Sequence, residues 1–436
     1  MATMALRVQS RHMLRAELPR WPFSAMFALY PLWWTLGFGG TIWIPLAACM
    51  LVLMTRRGGI LVPRGIGIWF VFLALMCISV TGIDSPDRLI GFTYRALQYI
   101  SITIVFVYVY NARERLTLRY VLGIMTLFWV FAVVGGFASV FFPLFSFQTP
   151  LGYVLPKGLQ ANEVVGEMVV RRLTQHNPDS WFALDPRPSA PFLYTNQWGN
   201  VYSLTLPMVL AYLQQLRRGP RFWLVVLAVL LSFVPALLTL NRGMFIGLGV
   251  AACYLLVRFA ASGHLRSVML ILGVGATALL AGALLNVDSK LDERVETSSS
   301  TDDRAQLYRE TIDRTLESPF FGYGAPRPSI TEGLPSVGTQ GHVWTVMFSY
   351  GIPALVIFLL ALVWLVLATR RVHDTTGLLL HTVQVVLLVE VFYYGVLPNG
   401  LILTFPAAAL ILRERSAQTL RSVPPVPTRA HSRVKF

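Results

Sequence analysis

The sequence predicts an all-α polytopic membrane protein, and three observations lead there. Of its 436 residues, 55% are hydrophobic and only 13% are charged, against roughly 25% charged in an average soluble domain. Solidly apolar segments recur along the chain, at the length scale of about 18 residues that marks a spanning helix and without the alternation of a transmembrane β-barrel. Arg and Lys sit mostly in the short connections between those segments, as membrane orientation requires. The net charge of +15 therefore does not argue for nucleic acid, which would want its basic residues gathered on one polar domain.

Taken in order, residues 1–20 form a cytoplasmic N-terminal segment, with Arg7, Arg11, Arg15 and Arg20 ahead of the first apolar run. No small-residue cleavage site follows, so a retained first helix is expected rather than a signal peptide. A single transmembrane domain spans 21–412, with helices near 21–37, 40–54, 66–82, 89–110, 117–142, 191–214, 221–240, 243–260, 266–285, 342–368, 376–395 and 397–412. The tail 413–436 is basic and Pro-containing and reads as disordered, suited to touching anionic lipid. Cys49, Cys77 and Cys253 lie within apolar segments and show neither a disulfide framework nor metal-ligand spacing.

The connections orient this series. Those at 55–65, 111–116, 215–220, 261–265 and 369–375 are basic or flanked by Arg, whereas the short turns near Gly37 and Pro398 carry no charge. The positive-inside rule then predicts twelve crossings with both termini cytoplasmic. It also puts two long segments, 143–190 and 286–341, outside, and most of the acidic residues with them. Long loops of this kind are functional or disordered. In the second, the Ser-rich piece 297–301 reads as a hinge, and Ala305, Tyr308, Ile312 and Leu316 recur at helical spacing, predicting an amphipathic helix on the outer surface.

Several residues could carry chemistry on that outer side. Arg242 sits in the short external turn Asn241-Arg242-Gly243. It is either an interfacial snorkelling residue or a fork for an anion such as phosphate. His342 opens an apolar helix after the flexible stretch GTQG; the other external histidine is His176. It is either a polar helix-start residue held by loop carbonyls or a neutral base for a sugar hydroxyl. Arg304 and Tyr308 lie one turn apart and share a face, beside Gly322-Tyr323-Gly324; a solvated face is the plain alternative. Arg95 and Glu390 fall inside predicted helices, where each needs a partner or a water-filled cavity. Arg95 is expected to face the external cavity, and Glu390 to be structural. The stretch Pro191–Asn200 opens a helix with aromatics suited to sugar stacking and with Asn196 as a hydrogen-bonding group; aromatics at an interface are also plain anchors. Asp84 and Asp87 form an acidic external turn, which reads as solvated charge rather than a metal site. No Walker loop, GxGxxG or HExxH is present, and no cofactor is expected.

Four stretches together resemble the O-antigen ligase and polymerase superfamily of bacterial membrane glycosyltransferases. LLTLNRGMFIGL resembles that family's Ser-Arg-Gly signature at a helix junction, with Asn241 in place of Ser. RAQLYRETIDRTLESPFFGYG resembles its Arg-led helix followed by Pro-x-x-Gly-x-Gly, and GHVWTVMFSYGIPAL its His-led helix with a Gly-Ile-Pro turn. RPSAPFLYTNQWGN, led by Arg187, resembles its Arg-Pro-Ser-Gly…Asn helix entry, with Ala190 in place of Gly.

The resemblance, strongest over 185–370, implies transfer of a glycan from a polyprenyl diphosphate carrier to a glycan, lipid or protein hydroxyl. That transfer takes place on the outer face of the bacterial inner membrane, with no nucleotide donor and no required metal. A diphosphate leaves readily and needs cations to hold its charge rather than a general acid. Arg242, with Arg304 or Arg95, would supply them; His342 would be the base, with inversion at the anomeric carbon. Tyr308, Asn196 and Arg187 complete the expected substrate-binding set. A polymerase is preferred over a ligase, since nothing in the chain is specific to a lipid A core. The competing class is a twelve-helix transporter or flippase, which would show deep charge relays and pseudo-repeats. A non-catalytic assembly protein would leave Arg242 and His342 replaceable.

Overall fold

The computed structural model describes residues 17–160, 163–175, 186–284, 286, 300–372 and 374–421. The expected His176 and residues 297–299 of the Ser-rich piece lie outside them, as does the tail from 422. The described chain is overwhelmingly helical. It enters through α1 (Trp21–Ala28) and α2 (Tyr30–Leu36), where the sequence predicts one helix over 21–37. Pro31 lies in the first turn of α2 and has no N–H to offer the Phe27 carbonyl, so the helix breaks there.

Next come α3 (Trp43–Arg57) and α4 (Gly67–Ile78), the latter tightening into a 3₁₀ turn over Ser79–Gly82. Two long helices follow, α5 (Pro86–Asn111) and α6 (Leu118–Phe141). The described part of segment 143–190, which the sequence reads as an external loop, is not a plain loop. Strands β1 (Ser146–Gln148) and β2 (Val170–Arg172) pair antiparallel around three short helices, α7 (Pro150–Val154), α8 (Lys157–Gln160) and α9 (Glu163–Val169). β3 (Thr174–Gln175) then pairs with β4 (Arg187–Pro188). Arg171 is buried and donates to the carbonyls of Trp34 and Gly37 at the end of α2, stapling this segment to the bundle.

The second half contributes α10 (Thr195–Gln214), α11 (Pro220–Leu238), α12 (Arg242–Ala261), α13 (Leu265–Leu284), α14 (Ser300–Glu317), α15 (His342–Thr369), α16 (Thr375–Glu390) and α17 (Asn399–Arg421). The expected tail from 413 begins as helix. Residues 413–421, RERSAQTLR, contain neither Gly nor Pro, so nothing stops α17 before Arg421. α16 ends at Glu390, short of the expected 395.

Helix α10 is the hub, packed against α6, α12, α16 and α17. Trp198 and Tyr202 stack within it at 5.0 Å, and the Trp198 indole donates to the Ala132 carbonyl of α6. α13 contrasts with it, packing on α12 and burying none of its residues. Its Leu279 and Leu284 are 78% and 75% exposed. Apolar surface on that scale is not left to water, so a bilayer is its solvent and the protein is membrane-embedded. Among the described residues, α5, α6, α11, α12, α13 and α15 are long and apolar enough to cross a membrane by length and composition; α16 and the 67–82 segment are apolar but shorter.

Candidate active site

Two helix N-termini meet on one short segment. Arg242 is the first residue of α12 and His342 the first residue of α15. Both helices begin against residues 391–394, just past the end of α16. On one side, the His342 N–H donates to the Tyr394 carbonyl at 2.8 Å and the Val343 N–H to the Val391 carbonyl at 3.1 Å. On the other, the Tyr394 hydroxyl donates to Asn241 Oδ1 at 2.6 Å and the Tyr393 hydroxyl to the Gly243 carbonyl at 3.1 Å. Residue 243 has to be small: a Cβ there would lie 2.8 Å from the Tyr394 ring and 2.9 Å from that of Tyr393.

Asn241 carries the junction. It caps α12 by accepting the Met244 N–H, and its amide donates to the Thr195 carbonyl at the start of α10. The amide does both through separate atoms, Oδ1 and Nδ2, whereas the serine of the family pattern has a single oxygen on a shorter side chain for both roles. The departure at 241 therefore adds a tie to α10 while leaving the cap intact. Arg242 itself is exposed.

His342, by contrast, is buried, at 2% exposure. The sequence leaves it either a helix-start residue held by loop carbonyls or a base for a sugar hydroxyl; the structure covers its ring with α5 and α15. Its Nε2 is 2.7 Å from the Tyr99 hydroxyl, and its ring lies 5.3 Å from that of Phe358. Tyr99 stands one turn beyond Arg95 on α5, so both share a face. Arg95 is half-buried, and its charge acts on His342, Tyr99 and Tyr350 together. Arg95 makes no hydrogen bond or ion pair with a described residue, and the buried Tyr350 hydroxyl has no partner among them either.

The remaining expected residues divide. Arg187 is half-buried, donates to Gln175 Oε1, and its charge reaches Tyr394; it belongs to this neighbourhood. Asn196 is exposed at the start of α10. Of the aromatics read as sugar platforms, Phe192 and Trp198 are core residues, leaving Tyr194 on the surface. Tyr308 stacks on Trp344 at 4.3 Å, and its hydroxyl donates to the Gln340 carbonyl. It therefore braces the approach to His342. Arg304 lies in α14, but its side chain is outside the described residues.

Glu390 is fully buried. Asn200 Nδ2 at 2.7 Å and Ser203 Oγ at 2.5 Å both donate to it, and Gly247 leaves room for it. It ties α10 to α16 immediately before residues 391–394. The sequence pointed to neither Tyr99 nor Tyr394, and met Asn241 only as the departure from the family signature beside Arg242. Of the two, Tyr99 left a usable signal, its four-residue spacing from Arg95.

The Pro-x-x-Gly-x-Gly stretch proves to be a clamp on α15. That helix breaks at Gly351, whose φ is 86°, and the turn at 319–324 fills the break. The Ile352 N–H donates to the Pro319 carbonyl, the Tyr323 N–H to Phe348 and the Gly324 N–H to Ser349. A Cβ on Gly351 would lie 2.5 Å from the Phe320 oxygen.

Arg88 at the start of α5 donates to the carbonyls of Tyr323, Ala325 and Pro326. Asp84 is engaged by Arg88 and, at 2.6 Å, by Arg327. Its hydrogen bond from Arg88, with the charges of Arg88 and Arg327, holds its carboxyl below the usual range. Asp84 is thus part of the docking of α14 and its turn. Asp87 is exposed.

No curated protein and no solved structure matches the chain. Residues 226–359 match the family model Wzy_C, described as O-antigen ligase. That stretch runs from α11 through Arg242, α14 and the clamp to the first half of α15, and the match supports the resemblance to the O-antigen ligase and polymerase superfamily over that part of the chain.

Proposed function

We propose that the protein is an inverting glycosyltransferase of the bacterial inner membrane, which moves a glycan from a polyprenyl diphosphate carrier to an acceptor hydroxyl on the outer face. In this reading the chain crosses the bilayer twelve times with both termini inside, and residues 143–190 and 286–341 form the outer cover. The observation that carries the proposal is the meeting of the α12 and α15 N-termini on residues 391–394. It brings an exposed arginine and a histidine to one end of the bundle, beside Arg95 and Arg187.

Arg242 at a helix N-terminus combines a guanidinium fork with the positive end of the helix dipole, a setting suited to a diphosphate. It takes up the charge that grows on the leaving group as the anomeric C–O bond breaks. His342 accepts the proton of the acceptor hydroxyl as that oxygen bonds to the anomeric carbon from the opposite face. Arg95 adds positive charge, and the Tyr350 hydroxyl offers a hydrogen bond. A buried polar group with no partner costs roughly 1–3 kcal/mol, which a polar substrate would relieve. Asn196, Tyr194, Arg187, Arg304 and Tyr308 stand along the route for the sugars.

Arg242→Ala and His342→Ala are each expected to lower transfer from a carrier-linked oligosaccharide by at least about 100-fold, with membrane accumulation unchanged. Wild-type transfer by either variant would remove the role assigned to that residue. Sizing the products made by purified protein from a carrier-linked repeat unit separates polymerase, our preferred subtype, from ligase. A ladder of lengths indicates the first.

A further inference from the structure

We propose that Tyr99 is the positioning residue for His342. In this proposal its phenol oxygen accepts the Nε2–H, which leaves the lone pair on Nδ1, the nitrogen that meets the acceptor hydroxyl. The inference rests on the reading of His342 as base and extends it to a residue on α5, far outside the matched region 226–359.

Three observations support it. The Tyr99 hydroxyl is 2.7 Å from His342 Nε2, and both side chains are buried, at 0% and 2% exposure. This is the one side-chain hydrogen bond that His342 makes to a described residue, so Nδ1 is the nitrogen left for a substrate. Tyr99 is itself held in place: its ring is packed 5.2 Å from Phe72, 6.0 Å from Trp69 and 6.3 Å from Tyr350. Its backbone carbonyl accepts from Thr103 Oγ1, which in turn accepts from the Trp69 indole.

The proton bookkeeping favours a phenol at this place. Neutral imidazole has one N–H, and a base at Nδ1 requires that it be on Nε2. Once Nδ1 has taken the acceptor's proton the ring is an imidazolium, and Nε2–H must still donate to something. The Tyr99 oxygen accepts it before and after transfer, with no movement of either ring. A carboxylate here would pull the ring toward the imidazolium in the resting state; a neutral phenol does not. The charged group acting on the ring is Arg95 on α5. Tyr350 is the remaining titratable group beside Tyr99.

The test uses Tyr99→Phe, which keeps the packed ring and removes only the hydroxyl. Expected are a fall in kcat of roughly 10- to 100-fold, part of the 10²–10⁴ that a positioned base contributes, and an unchanged KM for the carrier-linked donor. A purely structural role would leave kcat unchanged once the variant is folded. ¹⁵N spectra of histidine-labelled protein in nanodiscs, with His342 assigned by its loss in His342→Ala, supply the second readout. The wild type should show a protonated Nε2 and a bare Nδ1, and Tyr99→Phe should shift the Nε2 signal. A wild-type spectrum with the proton on Nδ1 overturns the proposal, whatever the variant's yield. So does wild-type kcat in Tyr99→Phe while His342→Ala is inactive. If His342→Ala itself transfers at the wild-type rate, the reading of His342 as base fails first.

Discussion

At the scale of single residues, Asn241 does more than its neighbour Arg242 to hold the site together. Its side chain caps α12, bonds the Thr195 carbonyl and accepts the Tyr394 hydroxyl, so one amide joins three elements. Replacing it by alanine removes a cap worth about 0.5–2 kcal/mol. It also leaves the buried Tyr394 hydroxyl without its acceptor, at roughly 1–3 kcal/mol. Asn241→Ala should therefore lower the thermal midpoint in detergent. Asn241→Ser should recover the cap but not the tie to α10, giving an intermediate midpoint. Equal midpoints for the serine variant and the wild type would show that the Thr195 contact contributes nothing. Glu390 acts on the same scale: a fully buried carboxyl accepting from Asn200 and Ser203 is a joint of the core, consistent with the structural part the sequence suggested.

At the scale of elements, α14 and the turn after it behave as a docked unit held largely by polar contacts. Burial pushes the Glu310 carboxyl up, but hydrogen bonds from Ser329, the Ile330 N–H and Arg314 outweigh it and hold it below the usual range. Asp84 is shifted the same way by Arg88 and Arg327. For an acid whose folded pKa is depressed, the stabilisation is fully present above the unfolded value, about 4, and is lost as pH falls through the folded value. The unit should thus stay docked from neutral pH down to about pH 5 and loosen below the carboxylate range. Proteolysis within 300–341, followed against pH with an acid-stable protease, checks this. Asp84→Asn with Glu310→Gln should bring the acid-state cleavage to neutral pH, and an unchanged pattern in that double variant would contradict the account. Salt should weaken the Asp84 contacts more than those of Glu310, because Asp84 is the more exposed.

At the scale of the molecule, the hub helix α10 and the peripheral helix α13 show two ways of satisfying apolar surface. α10 is covered by protein, with Trp198, Tyr202 and Met208 buried. α13 is covered by lipid. The twelve-crossing reading makes a direct prediction: single cysteines placed at 58 and 218, in a chain freed of Cys49, Cys77 and Cys253, should react with a membrane-impermeant maleimide only after the membrane is opened. Cysteines at 153 and 330, on exposed positions of the outer segments, should react in intact cells. Labelling of the first pair without permeabilisation would reverse or break the proposed topology.

Hydropathy and the placement of Arg determined most of the helices by themselves. The apolar run lengths, the Pro and Gly punctuation and the basic connections are local properties, and the helix limits at 118–141, 220–238, 242–261 and 265–284 follow them within a few residues. Arg242 and His342 were legible as well, because a lone polar residue at the end of an apolar helix stands out in one dimension. The break after Ala28 and the run of α17 to Arg421 were open to the same local reasoning, through Pro31 and through a stretch with no helix breaker.

Only the tertiary structure decided what surrounds those two residues. The Tyr99–His342 bond joins positions 243 residues apart, and the Tyr394–Asn241 bond positions 153 apart. No periodicity or motif encodes such pairings, since each follows from the order in which α5, α12, α15 and α16 pack. The sequence left His342 between a loop-held helix start and a base, and read Trp198 among aromatics suited to sugar stacking. Packing buried both, because a bundle this rich in aromatics gains more by closing over a ring than by leaving it to water.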